Sequence, residues 1–335
     1  MKLRYYVIIR TLLIIPTMII LLSTVFFMMH IIPGDPVRVL YGEELPEDYL
    51  DEVRHELGLD RPMYVQYIDY MSKFFRGDLG ISFRYKVPVW RKILDVYPVT
   101  VELTAGALML SVLFGIPLGI FAALKRDTIF DHTIRGLSLY LYSNPSFWTA
   151  LLLQLFFGLM LGMFPISGRT PPSVHIDRVT GLLTLDSLLA LDFDAFIQSA
   201  RYLFLPSLSI ALSNLPMLSR VTRASLIDVL GEDYIKTARA TGVTETGVVY
   251  KHALRNALLP VITSVGFSFA WLLGGSTITE QIFGLPGLGS LLIISLTGRD
   301  FNLIQGIVGI YAIVVVSMNT VVDIIYAMAD PRVKF

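Results

Sequence analysis

The sequence predicts an all-α integral membrane protein with six spanning helices, and three observations carry that prediction. Hydrophobic residues make up 54% of the 335 positions and charged residues only 16%, with a mean hydropathy of +0.64, outside the range of water-soluble globular chains. Six apolar runs each supply the roughly 20 residues that a helix needs to cross a hydrocarbon core. The basic residues between those runs fall consistently on one side. A formal net charge of +0 offers no global field for nucleic acid, and the absence of cysteine removes disulfide frameworks, thiolate chemistry and cysteine metal sites. The five histidines are scattered singly, so no metal site is expected.

The first run, 7–32, is too long for a signal-peptide core, and no small-residue cleavage site precedes Pro33-Gly34-Asp35-Pro36, so it reads as a retained span. Lys2, Arg4 and Arg10 place the N-terminus in the cytoplasm. Spans two to six are expected at 100–124, 134–163, 202–227, 258–283 and 303–328. The link from Lys125 and Arg126 to Arg135, the loop carrying Lys236, Arg239, Lys251 and Arg255, and the tail with Arg332 and Lys334 are all basic. Both termini are therefore expected inside.

Three segments are left for the far side. The stretch 34–97 is polar but patterned, with Leu50, Val53 and Leu57 before a stop at Gly58. A second stripe, Tyr64, Tyr67, Ile68, Met71, Phe74 and Phe75, precedes Gly77. The expectation is a small helical extracytoplasmic insert, giving a division into 1–32 (first span), 33–98 (insert) and 99–335 (core). A second outer loop, 164–201, is acidic and proline-containing. The third, around Gly284-Leu285-Pro286-Gly287-Leu288-Gly289, combines a Gly/Pro break with an apolar stretch too short to span. It reads as re-entrant, with Pro286, Gly287 and Gly289 as candidates for an outer gate, or else as a tight surface turn.

The long loop 228–257 patterns as helix, break, helix. Tyr234, Ile235 and Ala238 make a small apolar stripe, Gly242 stands where a left-handed cap is expected, and Thr244 can cap a second helix through Val248, Val249, His252 and Leu254. Ala238 and Gly242 leave one side nearly bare, so a partner could approach closely. A helix-turn-helix rich in Arg and Lys invites comparison with DNA-binding modules, but both ends run directly into spans. A basic loop lying on lipid headgroups is the plainer alternative.

At these residues the chain resembles the permease subunits of bacterial and archaeal binding-protein-dependent ABC importers, in the dipeptide, oligopeptide and nickel branch. The run Glu232-Asp233-Tyr234-Ile235-Lys236-Thr237-Ala238-Arg239-Ala240-Thr241-Gly242 is similar to that family's Glu-Ala-Ala loop, with Lys236-Thr237-Ala238 in the place of the name-giving triplet. The segment His252-Ala253-Leu254-Arg255-Asn256-Ala257-Leu258-Leu259-Pro260, with Leu254-Arg255 where sugar permeases carry Leu-Pro, continues the branch pattern. Ile32-Pro33-Gly34-Asp35-Pro36, Pro286-Gly287-Leu288-Gly289 and Asp330-Pro331-Arg332 add to it, so the resemblance covers essentially the whole chain.

The resemblance implies a type I importer fold and import of small peptides, with nickel chelates or oligosaccharides as alternatives. It also implies a second homologous permease, two cytoplasmic ATPase subunits or domains holding ATP and Mg, and an extracytoplasmic substrate-binding protein. By the same resemblance Glu232, Asp233, Tyr234, Lys236, Thr237, Ala238, Arg239, Ala240, Gly242, Lys251, His252 and Arg255 form the ATPase-docking surface.

No Gly-x-x-x-x-Gly-Lys-Ser/Thr loop, His-Glu-x-x-His helix or Gly-x-Ser-x-Gly elbow occurs, so no catalytic residue or bound cofactor is assigned and the chain is not expected to be an enzyme. An ATP-independent channel or secondary transporter remains as the reading from another class. Glu102, Glu280 and Asp323 lie near span ends, where interfacial solvation accounts for them. Ser143, Asn144 and Ser146 in span three and Ser213 and Asn214 in span four are candidates for the pathway lining. Gly115 and Gly119 are expected to permit close helix packing.

Overall fold

A computed structural model describes residues 3–31, 37–38, 46–273 and 276–329. The motifs at 32–36 and 330–332 and the basic tail lie outside the described residues. Five helices are long and apolar enough to cross a membrane. They are α1 (Leu3–Ile31), α4 (Val89–Leu124), α8 (Phe193–Leu230), α10 (Glu245–Leu273) and α13 (Phe301–Ala329). Shorter elements join them: α2 (Glu47–Glu56), α3 (Met63–Phe75), α5 (Ile129–Ser143), α6 (Ser146–Met160), α7 (Leu183–Leu189), α9 (Asp233–Ala240), α11 (Thr277–Ile282) and α12 (Leu288–Thr297).

The expected third span, 134–163, is not one helix. Asn144 is extended, with ψ 133°, because Pro145 disfavours a helical residue before it. The apolar run is thereby divided between α5 and α6, whose last turns widen into a π-helix at Gln154–Met160. The expected fifth span, 258–283, begins earlier and ends earlier, since the helix runs from the loop at Glu245 to Leu273 and α11 is a separate element. Helix α4 likewise starts at Val89 rather than at residue 100. Its first turns bury Val89, Ile93 and Val96 against Leu303 and Ile307 of α13, an amphipathic match that hydropathy averaging hides.

The centre of the molecule is the α4–α8 pair. A β-carbon built on Gly119 would stand 2.6 Å from both the Ser219 carbonyl oxygen and the Thr222 β-carbon, and one on Gly115 would stand 3.1 Å from the Leu218 β-carbon. Glycine at these points lets two backbones touch where apolar lipid gives no hydrophobic drive for helices to associate. Gly115 and Gly119 thus pack helices, as expected. Around this seam, Val99, Leu103 and Ala107 meet Leu205 and Ile210, with Phe283 and Leu285 closing one end.

In the insert, Leu50 and Val53 pack with Leu57, and Gly58 takes φ +69°. On α3 the inward stripe is Tyr70, Met71 and Phe74, set against Met18 and Leu22 of α1, whereas Tyr64, Ile68 and Phe75 of the expected stripe are exposed. The Tyr67 hydroxyl meets Ser23 Oγ at 2.7 Å. Asp300, fully buried, accepts from the Ser82 hydroxyl and the Arg84 amide, tying the later part of the insert, after α3, to the start of α13.

Candidate docking loop and pathway

The loop begins where α8 ends at Leu230. Glu232 precedes α9 in extended conformation, and the helix closes in a Schellman arrangement: the Gly242 amide donates to the Arg239 carbonyl at 3.0 Å and the Val243 amide to the Ala238 carbonyl at 3.2 Å. Gly242 has φ +83°, the left-handed conformation expected of it, and a β-carbon there would meet nothing within 4 Å. Thr244 Oγ1 then accepts from the Gly247 amide at 3.3 Å and starts α10.

One side of this hairpin is apolar and fixed. Ile235, Val248, Ala253 and Ala257 are fully buried with Leu226 of α8 and Ala123 of α4, and Ser225 Oγ donates to the Ala257 carbonyl at 2.9 Å. Tyr234, expected in the buried stripe, is instead 42% exposed and receives a hydrogen bond from Asn256 at 2.8 Å. The other side carries Glu232, Asp233, Lys236, Thr237, Arg239, Ala240, Gly242, Lys251 and Arg255, all exposed, with Ala238 and His252 half-buried. Arg239 Nε meets Glu245 Oε1 at 2.7 Å across the turn. That pair is exposed, so its net contribution is small; it orients the guanidinium. The result is a rigid, polar, uncovered platform with a bare spot at Gly242.

The five pathway candidates separate into two groups. Ser146, Ser213 and Asn214 line one cavity of about 410 Å³ together with Trp271, Ser276 and Thr277. Asn214 Oδ1 accepts from Ser268 at 3.0 Å while its buried amide nitrogen has no partner. Ser143 and Asn144 are not on that wall; they donate to the carbonyls of Leu139 and Tyr140 at 2.8 and 2.9 Å and close the end of α5.

The glycines near Pro286 are packed rather than open. Gly287 and Gly289 are buried, because β-carbons there would stand 2.4 Å from the Glu280 carboxyl carbon and 2.6 Å from the Thr277 α-carbon. Pro286 itself is exposed.

Glu280 corrects the sequence expectation. It is fully buried, not solvated: Oε1 accepts from Thr100 Oγ1 at 2.7 Å and Oε2 from the Ser290 amide at 2.8 Å, while Thr100 Oγ1 accepts from the Leu288 amide at 2.8 Å. Glu102 is similarly buried at 7% exposure, held by Arg169 at 2.7 Å and by the Thr184 amide at 2.6 Å. Both carboxylates tie loop segments to α4. Their side-chain partners, Thr100 and Arg169, lie far away in sequence, so no local spacing signals them. Asp323 lies in α13, and its side chain is outside the described residues.

A bundle of long apolar helices carrying a structured polar loop and a cavity between its spans defines a polytopic membrane component. Two family models match: the binding-protein-dependent transport system inner membrane component over residues 115–335, and the N-terminal membrane component of the same systems over 3–104. The chain belongs to this family of binding-protein-dependent transport system inner membrane components. It is 40% identical over 323 residues to the di/tripeptide transport system permease protein DppB of Pseudomonas aeruginosa, covering 96% of each chain. It is 40% identical over 327 residues to the dipeptide transport system permease protein DppB of Escherichia coli, again covering 96% of each. A chain of the inward-facing MetNI methionine ABC transporter shares the fold, with a TM-score of 0.55 and 15% identity over 71% of this chain and 96% of that one.

Proposed function

We propose that this chain is one of two permease subunits of an ATP-driven, type I importer and forms half of the route by which small peptides, dipeptides or somewhat longer, cross a cytoplasmic membrane. The observation that carries this reading is 40% identity, sustained over 96% of the chain, to permeases named for dipeptide and tripeptide transport. In this reading α5 and α6 together make the third of six spans, both termini are cytoplasmic, and the insert 33–98 lies outside. The core 99–335 contains the loop 228–257, on which a separate ATPase subunit docks; ATP and Mg belong to that subunit. A second permease completes the pathway, and an extracytoplasmic binding protein delivers the peptide.

The platform of α9 and the start of α10 supports the docking role, being rigid beneath, polar above and open at Gly242. Because the chain lacks cysteine, single cysteines at Tyr64 and Val179, exposed residues of the insert and of the loop 164–201, and at Gly242 report topology without background. Membrane-impermeant thiol reagent added to intact cells should label the first two and not the third. Restoration of growth on defined peptides in a transporter-deficient strain tests the substrate, and no restoration by any peptide, with nickel or sugar uptake restored instead, refutes it.

A further inference from the structure

A second cavity, of about 700 Å³, opens between α5 and α8 and is lined by His132, Arg135, Ser138, Ser219, Arg220 and Arg223 among others. It is strongly one-signed. Asp131, fully buried beside it, is hydrogen-bonded by Arg223, whose Nε and Nη2 reach its two oxygens at 2.7 and 2.6 Å, and Arg135 acts on it only through space. Asp127, in the link before α5, faces Arg126 at 3.2 Å. Arg135 and Arg220 have no carboxylate within 4 Å among the described residues; Arg220 stands 5.6 Å from the centre of the Tyr142 ring. Two hydroxyls complete the wall. Ser219 and Ser138 are 3% and 9% exposed, and neither has a hydrogen-bond partner in the described structure.

The two cavities are distinct but both are walled by α8. Ser213, on the wall of the upper cavity, and Arg220, on the wall of the lower, are two helical turns apart on α8 and share a face about 10 Å apart along the axis. Met217 between them is 46% exposed, so the strip joining the two is uncovered. A strip that passes from hydroxyl and amide groups to unpaired arginines does not suit lipid tails; charged groups in spans face an aqueous cavity or a partner.

We infer that the lower cavity is an anion-binding vestibule, in which Arg135 and Arg220, with the Ser138 and Ser219 hydroxyls, receive the terminal carboxylate of a peptide that has passed the Ser213–Asn214 level. This rests on the peptide-pathway reading above and assigns to it residues that handle charge. Guanidinium matches carboxylate as a two-toothed donor, and Arg135 and Arg220, both exposed on this wall without a hydrogen-bonded carboxylate among the described residues, leave room for that partner.

The test uses the complete importer in nanodiscs, with a cysteine introduced at Leu139, a 62%-exposed residue on the same wall. An anionic methanethiosulfonate should react about tenfold faster than its cationic counterpart, as two unpaired charges bordering an aqueous cavity dictate. The ratio should fall towards unity in the Arg135→Gln, Arg220→Gln pair and return in the Arg→Lys pair. A dipeptide with a free carboxylate should slow the reaction in the parent and not in the Gln pair. Uptake by the parent importer, measured alongside, tests the peptide reading separately. The inference is overturned if uptake is normal while the reagents react alike. It is also overturned if replacing phosphatidylcholine by phosphatidylglycerol slows the reaction and the dipeptide does not, which would make the cavity a lipid-headgroup site.

Discussion

Replacing Gly242 separates two costs that usually arrive together. Its φ of +83° charges any side chain about 1 kcal/mol of backbone strain. A β-carbon there meets no atom of this chain within 4 Å, so no clash adds to that strain. Against a stability of roughly 5–15 kcal/mol, such a loss leaves nearly all molecules folded. Gly242→Ala should therefore insert normally and lower the melting temperature only slightly. Gly242→Asp adds a charged group to the open spot beside Ala238, where the ATPase is proposed to seat. The expectation is near-normal membrane insertion and pairing with the second permease, together with loss of peptide uptake and of copurifying ATPase subunits. Uptake into vesicles and pull-down of the ATPase are measured on the same preparations. Normal uptake by Gly242→Asp with the ATPase still bound would remove the loop from the coupling mechanism. Gly119→Ala is the contrasting control: its β-carbon would lie 2.6 Å from Thr222, so its cost of about 1–3 kcal/mol should appear in folding itself.

Glu280→Ala strips the Thr100 hydroxyl and the Ser290 amide of their acceptor in a buried site, and should cost about 2–4 kcal/mol, read as a lowered melting temperature in detergent. Arg223→Ala leaves the fully buried Asp131 without its guanidinium; a loss of about 3–5 kcal/mol is expected, with recovery when Asp131 is also changed to Asn. Asp186 gives a pH test: burial opposes its ionisation, but hydrogen bonds from Thr180 and from the amides of Gly181 and Val179 outweigh burial and hold its pKa below the ordinary 3.8. Its stabilisation is fully present above that ordinary value and is lost as pH falls through the lower folded one, so the loop 164–201 should resist an acid-active protease at pH 5 and yield at pH 2, and Asp186→Asn should flatten the difference.

The apolar spans, the left-handed Gly242, the Thr244 cap and the Gly119 packing were legible because each is a local property of the chain: run length, a missing side chain, a capping hydroxyl. What escaped was non-local or masked by averaging. The break at Asn144-Pro145 sits inside continuous hydrophobicity, so hydropathy joined α5 to α6 although the proline marked the boundary. Span ends were drawn where polarity rose, but Val89, Ile93 and Val96 keep helix α4 going because α13 covers their face. Of the candidate site, the exposed platform could be read residue by residue, except that Tyr234 turns outward to Asn256. The pathway serines could not be sorted by sequence, since Ser143 and Ser146 differ only in which side of the break they occupy. Glu102 and Glu280 looked like solvated span ends because the donors that hold them, Arg169 and Thr100, come from other elements.

Helix α10 runs without a chain break from Glu245, beside Arg239, to Leu273, beside the Trp271 wall of the upper cavity. At 29 residues it is a strut about 43 Å long. Its foot is clamped by Val248, Ala253 and Ala257, and its two compliant places are the wide turn at Val248–Ala253 and Pro260. A strut held near one end works as a lever: a tilt of about 5° at the foot sweeps the far end through about 4 Å, comparable to the radius of a small side chain. A modest tilt at the foot is thereby enlarged at Trp271, and stiffening the wide turn would alter how faithfully the tip follows the foot.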